Sequence, residues 1–220
     1  MIPIGDASRR PVRFPIATIA IIAINVLVFL GELGSGDAFI NRWSEIPAHI
    51  VAGRDWITIF TAMFMHAGWL HILGNMLFLW VFGPQIEDVM GPLRYILFYL
   101  LGGVAASLAQ IAVDPHSSVP NLGASGAIAA VMGVFLITYP RDQIKTVLFI
   151  GWFFGVRLIP AILLVGFWFL IQLFSEVGAL AATQNGGVAY MAHVGGFLFG
   201  LVLGRLFEDQ RRIRQQRWAE

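Results

Sequence analysis

The stretch Leu122-Gly123-Ala124-Ser125-Gly126 begins an apolar run that continues to Tyr139. Gly123 and Gly126, on either side of the serine, permit a tight turn and a close approach of neighbouring backbone. The serine stands at the start of a predicted helix, where backbone N–H groups are free and the helix dipole favours an oxyanion. The same position also suits a serine that only caps the helix, so both interpretations stay open at this point.

The composition places this run in a membrane protein. Apolar residues make up 58% of the 220 residues and charged residues only 12%, whereas soluble domains carry about 25% charged residues. The formal net charge of +1 does not suggest the basic face of a nucleic-acid-binding protein, and the absence of cysteine excludes disulfides, thiolate metal sites and cysteine nucleophiles. We therefore predict an integral membrane protein with the lipid bilayer as a partner and no nucleic-acid partner.

Six apolar stretches have about the 20 residues that a membrane helix needs. They are Pro15–Leu33, His66–Val89, Leu93–Val113, Ala124–Tyr139, Leu158–Ser175 and Val188–Phe207. We predict an all-α, polytopic bundle of six transmembrane helices over residues 14–207, between an N-terminal segment (1–13) and a basic C-terminal tail (208–220). The apolar segment 146–156 is either the start of the fifth span or a re-entrant piece, and the sequence leaves both open.

Charge placement orients the predicted bundle. If all six stretches cross, twelve of the fourteen Lys and Arg lie on one side, and only Arg42 and Arg54 lie on the other. The positive-inside rule then puts both termini in the cytoplasm, and we expect a multi-pass protein of the plasma (inner) membrane. The long outer connection, residues 34–65, carries apolar residues at helical spacing, so we expect a structured loop in the membrane interface.

Polar side chains inside the predicted spans are costly and therefore indicate function. The conspicuous ones are His66, His71, Asn75, Gln110, Ser125, Gln172 and His193. With this orientation, four of them converge at one depth in the outer leaflet: His71, Asn75, Ser125 and His193. The fourth span is also short, about 24 Å against a hydrocarbon core of about 30 Å. We therefore expect the loop before Ser125 to dip into the protein.

Small residues provide the means to bring Ser125 and His193 together. Gly196, Gly200 and Gly204 recur every four residues and form a face for close helix packing. The candidate partner faces on the fourth span are Gly126, Ala130 and Val134, or Ala129 and Gly133. Close packing would bring the serine hydroxyl and the imidazole within hydrogen-bond reach, which is the minimum for an activated serine nucleophile.

Two further polar residues share a face of the second span. His71 and Asn75 are four residues apart, and both could donate hydrogen bonds to a developing oxyanion. The alternative is that they only link helices by hydrogen bonds. A zinc site on His66, His71 and His193 is disfavoured, because there is no His-Glu-x-x-His motif and we expect no carboxylate nearby. We expect no metal and no cofactor.

These motifs, in this order, resemble those of the rhomboid intramembrane serine proteases. The matching segments are His-Ala-Gly-Trp-Leu-His-Ile-Leu-Gly-Asn-Met at 66–76, Gly-Ala-Ser-Gly at 123–126 and Ala-His-Val-Gly-Gly at 192–196, with Glu87 in a further matching stretch. The resemblance covers residues 56–204. It implies the prokaryotic six-helix fold and substrates that are transmembrane segments, cut near their outer end.

The resemblance also implies roles for individual residues. It makes Ser125 the nucleophile and His193 the general base, without a third acid. It assigns His71, Asn75 and the backbone N–H of Ser125 to the oxyanion hole, and we place Ala124 there as well. The function predicted from the sequence is therefore an intramembrane serine endopeptidase. The alternatives are a non-catalytic relative that binds transmembrane clients, and a transporter.

Two positions depart from patterns found in some members of the family. Ile57 follows Trp56 in the outer connection, where some members have arginine. Ala129 stands four residues after the serine, where some members have an aromatic residue that stacks on the histidine. The second departure leaves open what packs against His193.

Overall fold

The structure, a computed structural model, describes residues 1–150, 153–181 and 189–218. Its helices are α1 (Ile16–Ser35), α2 (Asp37–Trp43), α3 (Pro47–Val51), α4 (Thr58–Thr61), α5 (Trp69–Met90), α6 (Pro92–Val113), α7 (Ser125–Thr138), α8 (Ala161–Ala181), α9 (Tyr190–Leu203) and α10 (Gln210–Trp218). Each of the six predicted spans overlaps one of the long helices α1, α5, α6, α7, α8 and α9. The short helices α2, α3 and α4 lie in the connection that was expected to be structured.

Within these described ranges, three helical stretches are long and apolar enough to cross a bilayer: Ile16–Ser35, Pro92–Val113 and Tyr190–Phe207. A fourth is obtained if Thr58–Phe64 and α5, which meet at 90°, form one broken span. Two shorter apolar helices, Ser125–Thr138 and Ala161–Phe174, accompany them. The helical membrane architecture agrees with the prediction, while the crossing of all six helices stays a prediction.

Apolar side chains cover the outside of the helices as well as the inside. Leu70, Leu93 and Leu206 are each more than three quarters exposed. A water-soluble protein rarely exposes large contiguous apolar surface, whereas a bilayer is the solvent for which such a surface is suited.

The central helix of the bundle is α7. All of its residues from Gly126 to Phe135 are buried. The helix packs against α5, where Phe135 meets Phe82 edge to face at 5.0 Å between ring centroids. A helix that is apolar and buried on every side sits in the core. The packing around α7 therefore fixes the position of its first residue, Ser125.

Helices α7 and α9 touch backbone to backbone. A Cβ atom added to Gly196 would overlap the carbonyl oxygen of Gly126, and one added to Gly200 would overlap that of Ala130. A Cβ on Gly204 would meet the Val134 side chain. The contact on α7 is therefore formed by Gly126, Ala130 and Val134, which is one of the two predicted partner faces. Gly133, from the second face, also meets the α9 backbone.

A small antiparallel sheet accompanies the helices and was not expected from the sequence. Its strands are β1 (Ile2–Asp6), β2 (Gln143–Ile150) and β3 (Phe153–Pro160), in the order β1-β2-β3. The prediction that segment 146–156 starts the fifth span is therefore wrong, whereas its insertion into the membrane as a re-entrant piece stays a prediction. The helix of the fifth predicted span, α8, begins at Ala161 rather than at Leu158.

Residues 143–150 and 153–160 form strands because they pair with each other and with β1, and the local sequence does not reveal this pairing. β1 lies at the N-terminus and supplies hydrogen bonds to one edge of β2, with Ile2 opposite Val147. Ile144 and Thr146 are buried on one face of the sheet, and the pairing partners of β2 on β3 include Arg157 and Ile159. The continuous apolar run hid the alternation by which a half-buried strand is recognised.

Acidic side chains fix the sheet end of the molecule. The Glu87 carboxylate accepts hydrogen bonds from the backbone N–H groups of Ala17 (2.8 Å) and Thr18 (2.7 Å), so it caps the first turn of α1, where an anion is favoured. Its side chain also accepts from the Thr18 hydroxyl at 2.8 Å. This contact joins the start of α1 to the end of α5.

Ion pairs add to this anchoring. Arg9 pairs with Asp142 at 2.6 Å, and Arg13 pairs with Asp88 at 3.2 Å. Burial raises the pKa of Asp6 to about 6, and the nearby Asp142 carboxylate contributes to the rise. The N-terminal segment, the loop between α7 and β2, and the end of α5 therefore meet at one end of the molecule.

The α7–α9 contact predicts the effect of a single methyl group. Gly200→Ala should lower Tm by roughly 2–10 °C, because overpacking costs about 1–3 kcal/mol and the carbonyl of Ala130 cannot move without shifting α7. The matched control is Gly166→Ala in α8, where no atom lies within 4 Å of the added Cβ. Thermal melts in detergent should separate the two variants, and equal melting temperatures would contradict the contact.

Candidate active site

The loop before Ser125 takes its hydrogen-bond partners from the outer connection. Asn121 and Glu45 exchange two backbone hydrogen bonds, of 2.7 and 3.0 Å, and the N–H of Gly123 donates to the carbonyl of Ala62 at 2.9 Å. Burial raises the pKa of the Glu45 carboxyl, and side-chain hydrogen bonds with Ser107 and Asn121 partly offset this. The backbone that enters α7 thus takes these hydrogen bonds from protein, which is what irregular backbone would need at the expected depth in the membrane.

Gly123 makes the turn into the helix. Its φ of 136° lies in a region that other residues rarely adopt. A Cβ atom there would also lie 2.9 Å from the ring of His71. Gly123 therefore allows the His71 ring to sit directly against the turn that leads, through Ala124, to Ser125.

Ser125 and His193 are in direct contact. The Ser125 Oγ and the His193 Nε2 are 2.7 Å apart, which is hydrogen-bond distance. His193 lies in the first turn of α9 and is only 8% exposed. The two residues come from α7 and α9, the pair of helices whose backbones touch.

Helix α8 contributes two side chains around His193. The ring of Trp168 lies 5.8 Å from the imidazole, centroid to centroid, and the His193 Nδ1 lies 2.7 Å from the Gln172 Oε1. Trp168 supplies an aromatic neighbour at a ring for which Ala129 offers none. The sequence singled out Gln172 as a polar residue within a span but gave it no role, and it gave no signal for Trp168.

The remaining expected residues line the same cavity. A cavity of about 580 Å³ is bordered by His71, Asn75, Ser125 and His193, and also by Trp168 and Gln172 among others. The Asn75 Nδ2 is buried and has no hydrogen-bond partner, although buried polar groups are normally paired. The His71 Nδ1 accepts a hydrogen bond from the N–H of Ala67 at 3.3 Å.

His66 takes a different position from the other histidines. It is buried before α5 begins, and its backbone N–H donates to the Glu32 carboxylate at 3.1 to 3.2 Å. The expectation that no carboxylate lies near these histidines is therefore wrong, because α1 ends beside this turn. Among the residues that the structure describes, no three His, Asp or Glu side chains form a group that could hold a metal ion.

Comparison with known proteins identifies the fold. The family model described as the Rhomboid domain matches residues 53–210, which include α5 to α9 and the whole of the site. The chain belongs to the rhomboid family. The resemblance of the motifs to this family is thereby confirmed, and this rhomboid protein is a mostly helical, multi-pass membrane protein with a small sheet.

Several curated proteins resemble this rhomboid chain over most of its length. Rhomboid-like protein 11, chloroplastic, of Arabidopsis thaliana is 30% identical over 89% of the chain and 67% of its own length. Rhomboid protein 1, mitochondrial, of Saccharomyces cerevisiae is 28% identical over 90% of the chain and 57% of its own length. Rhomboid protease GluP of Bacillus subtilis is 28% identical over 86% of the chain. The chain spans only 35% of the length of GluP.

The strained turn before Ser125 generates a prediction about stability. Gly123→Ala should lower Tm, because the φ of 136° costs a residue with a Cβ about 1–3 kcal/mol and the methyl would press on His71. The control is Gly74→Ala, which also borders the cavity but has open space around the added Cβ. A melt of Gly123→Ala that matches the melt of Gly74→Ala would refute the strain argument.

Proposed function

We propose that this rhomboid protein is an intramembrane serine endopeptidase that works through Ser125 and His193. The observation that carries the proposal is the 2.7 Å contact between the Ser125 Oγ and the His193 Nε2 on a cavity wall. A serine at a helix N-terminus beside an imidazole is the arrangement of an activated nucleophile. One relative in the same family is named a rhomboid protease.

The reaction follows from this geometry. Ser125 Oγ attacks the carbonyl carbon of the scissile peptide bond while His193 Nε2 takes the hydroxyl proton. The tetrahedral intermediate collapses when His193 returns that proton to the leaving amine, which leaves an acyl group on Ser125. A water molecule, deprotonated by the same imidazole, then attacks the ester; the bond to Ser125 Oγ breaks, His193 returns the proton to that oxygen, and the new carboxyl end is released.

The negative charge of the intermediate needs donors in the cavity. Asn75 has an unpaired buried amide N–H₂ group, and the backbone N–H of Ser125 is one of the free groups in the first turn of α7. We assign these two, together with His71 and the adjoining backbone at Ala124, to the oxyanion hole. Such donors stabilise charge that exists only as the reaction proceeds.

The proposed orientation puts both termini in the cytoplasm of a plasma (inner) membrane protein. It is supported by the sheet end of the molecule, where β1 pairs with β2 and Arg9 and Arg13 are held by Asp142 and Asp88. Cationic segments favour the cytoplasmic side, and the cavity lies toward the other end of α7. The substrates proposed are transmembrane proteins cut near the outer end of a span, with small or helix-breaking residues that expose the peptide bond.

The test is cleavage of a model single-span substrate by the detergent-purified protein, together with labelling by a fluorophosphonate. Wild type should cleave and should carry the label on Ser125. Ser125→Ala should lose both with Tm nearly unchanged, because the change removes one hydroxyl group and little packing. Full cleavage by the alanine variant would refute the mechanism. A folded wild type without cleavage or labelling would support the non-catalytic alternative.

Asn75→Ala is expected to lower kcat by about 10-fold to 10²-fold with little change in KM. An oxyanion donor contributes mainly in the transition state, and other donors remain after its removal. Cleavage kinetics and a melt on the same preparation measure the effect.

The control for this variant is Asn25→Ala in α1. Asn25 is fully buried and donates from its Nδ2 to the carbonyl of Ile21, but it does not border the cavity. Its loss should lower Tm while kcat per folded molecule stays unchanged. If Asn75→Ala gave that same pattern, Asn75 would be a structural residue rather than an oxyanion donor.

A further inference from the structure

Both ring nitrogens of His193 are engaged, and by different helices. Nε2 faces the Ser125 Oγ and Nδ1 faces the Gln172 Oε1, each at 2.7 Å. His193 and Gln172 are both 8% exposed, so the contact between them competes little with bulk water. A buried imidazole held at both nitrogens has a defined orientation and, when neutral, a defined tautomer.

The structure turns the oxygen of the Gln172 amide toward Nδ1, and this orientation favours one tautomer. An amide oxygen only accepts hydrogen bonds, so the ring nitrogen that faces it must carry a proton. With the proton on Nδ1, the neutral ring has its lone pair on Nε2, where it can accept the hydrogen bond of the serine hydroxyl. The opposite tautomer would set the Nδ1 lone pair against the Gln172 oxygen and leave no base beside Ser125.

We propose that Gln172 is a positioning residue that holds His193 in the tautomer and orientation required of the general base. The inference rests on the proposed function of Ser125 and His193 and adds the group that prepares the base for it. Gln172 does not touch the reacting atoms. It does for the imidazole what an acidic residue does in soluble serine proteases, with a neutral group in place of a charge.

A second contact from the same helix acts on the same ring. Trp168 precedes Gln172 by four residues, so both lie on one face of α8, and the Trp168 ring lies 5.8 Å from the imidazole. Trp168 also contacts Phe197 of α9 at 6.3 Å between centroids. The plane of the imidazole and its proton position are therefore both set by how α8 lies against α9.

A neutral partner suits the position of this site. A buried carboxylate is expensive in a membrane unless it is paired, whereas an amide oxygen accepts the Nδ1 proton without adding a charge. The amide also stabilises the imidazolium less than a carboxylate would, because it offers a dipole in place of a full charge.

The decisive variants are Gln172→Met and Gln172→Glu. Methionine keeps the length and the unbranched shape of the side chain but removes the strong acceptor, so kcat/KM for a model transmembrane substrate should fall by roughly 10-fold to 10²-fold. Glutamate restores an acceptor. It should therefore recover much of that loss and move the acidic limb of the pH–rate profile upward by about one pH unit, because a carboxylate favours the imidazolium.

A measurement independent of activity reports the tautomer directly. Nitrogen-15 NMR of histidine-labelled wild type, with the His193 signals assigned by their loss in His193→Ala, should show a protonated Nδ1 and an unprotonated Nε2 at neutral pH. In Gln172→Met the two signals should move toward a mixture of tautomers. A wild-type spectrum with the proton on Nε2 would overturn the proposal.

The matched control is Gln110→Met. The Gln110 Oε1 accepts a hydrogen bond from the backbone N–H of Ala192, at 3.2 Å, so it contacts the residue beside His193 without reaching the ring. This variant should leave the pH–rate profile and the His193 signals unchanged, whatever its effect on Tm.

The outcomes separate this inference from the proposed function. An active wild type whose Gln172→Met and Gln172→Glu variants keep its rate, profile and tautomer would overturn the role of Gln172 alone. The role of Gln172 would also be overturned if Gln172→Met lost rate only in proportion to its unfolded fraction and kept the wild-type tautomer. A folded wild type that neither cleaves nor labels would refute the proposed function, while the NMR comparison would still test the contact between Gln172 and His193.

Discussion

The backbone contact between α7 and α9 is the constraint on which the site depends. Gly196 meets the carbonyl of Gly126, and Gly200 meets that of Ala130, with no room for a Cβ atom at either glycine. In a bilayer, helices associate through close packing rather than through the hydrophobic effect, so a stripe of glycines is what lets them approach this far. Ser125 and His193 lie at the same end of this contact, and their 2.7 Å separation follows from it.

Helix contact alone sets the distance between two backbones and leaves the imidazole free to rotate. Two other parts of the structure complete the site: one fixes the imidazole, and the other fixes the loop that leads into α7. Helix α8 holds the ring of His193 through Trp168 and Gln172. The outer connection holds the loop before Ser125 through the paired backbone of Glu45 and Asn121. The site is thus preorganised by elements distant from one another in the sequence, as the proposed catalysis requires.

What could be predicted from the sequence was local or periodic. The four-residue glycine spacing on α9 indicated its packing face, and the short run after Gly123 indicated that Ser125 begins a helix. The β2–β3 hairpin could not be predicted in this way, because its pairing with β1 joins residues 2–6 to residues far along the chain. Gln172 was visible as a polar residue in a span, yet its partner on α9 became evident only when α8 and α9 were placed side by side. Trp168 could not be distinguished from the other aromatic residues that face lipid or core.

The sheet end and the cavity beside Ser125 differ in the charge of their polar side chains. At the sheet end, Glu87 caps α1, and Asp88 and Asp142 are paired with arginines. Even there, burial raises the pKa of Asp6 to about 6. The described lining of the cavity contains imidazoles, amides and a hydroxyl, and no carboxylate. A carboxylate beside His193 would strengthen the base, but it would also place a second negative charge near the oxyanion that Asn75 and His71 are proposed to stabilise, in a medium where like charges repel strongly. An amide at Gln172 orients the imidazole without that repulsion.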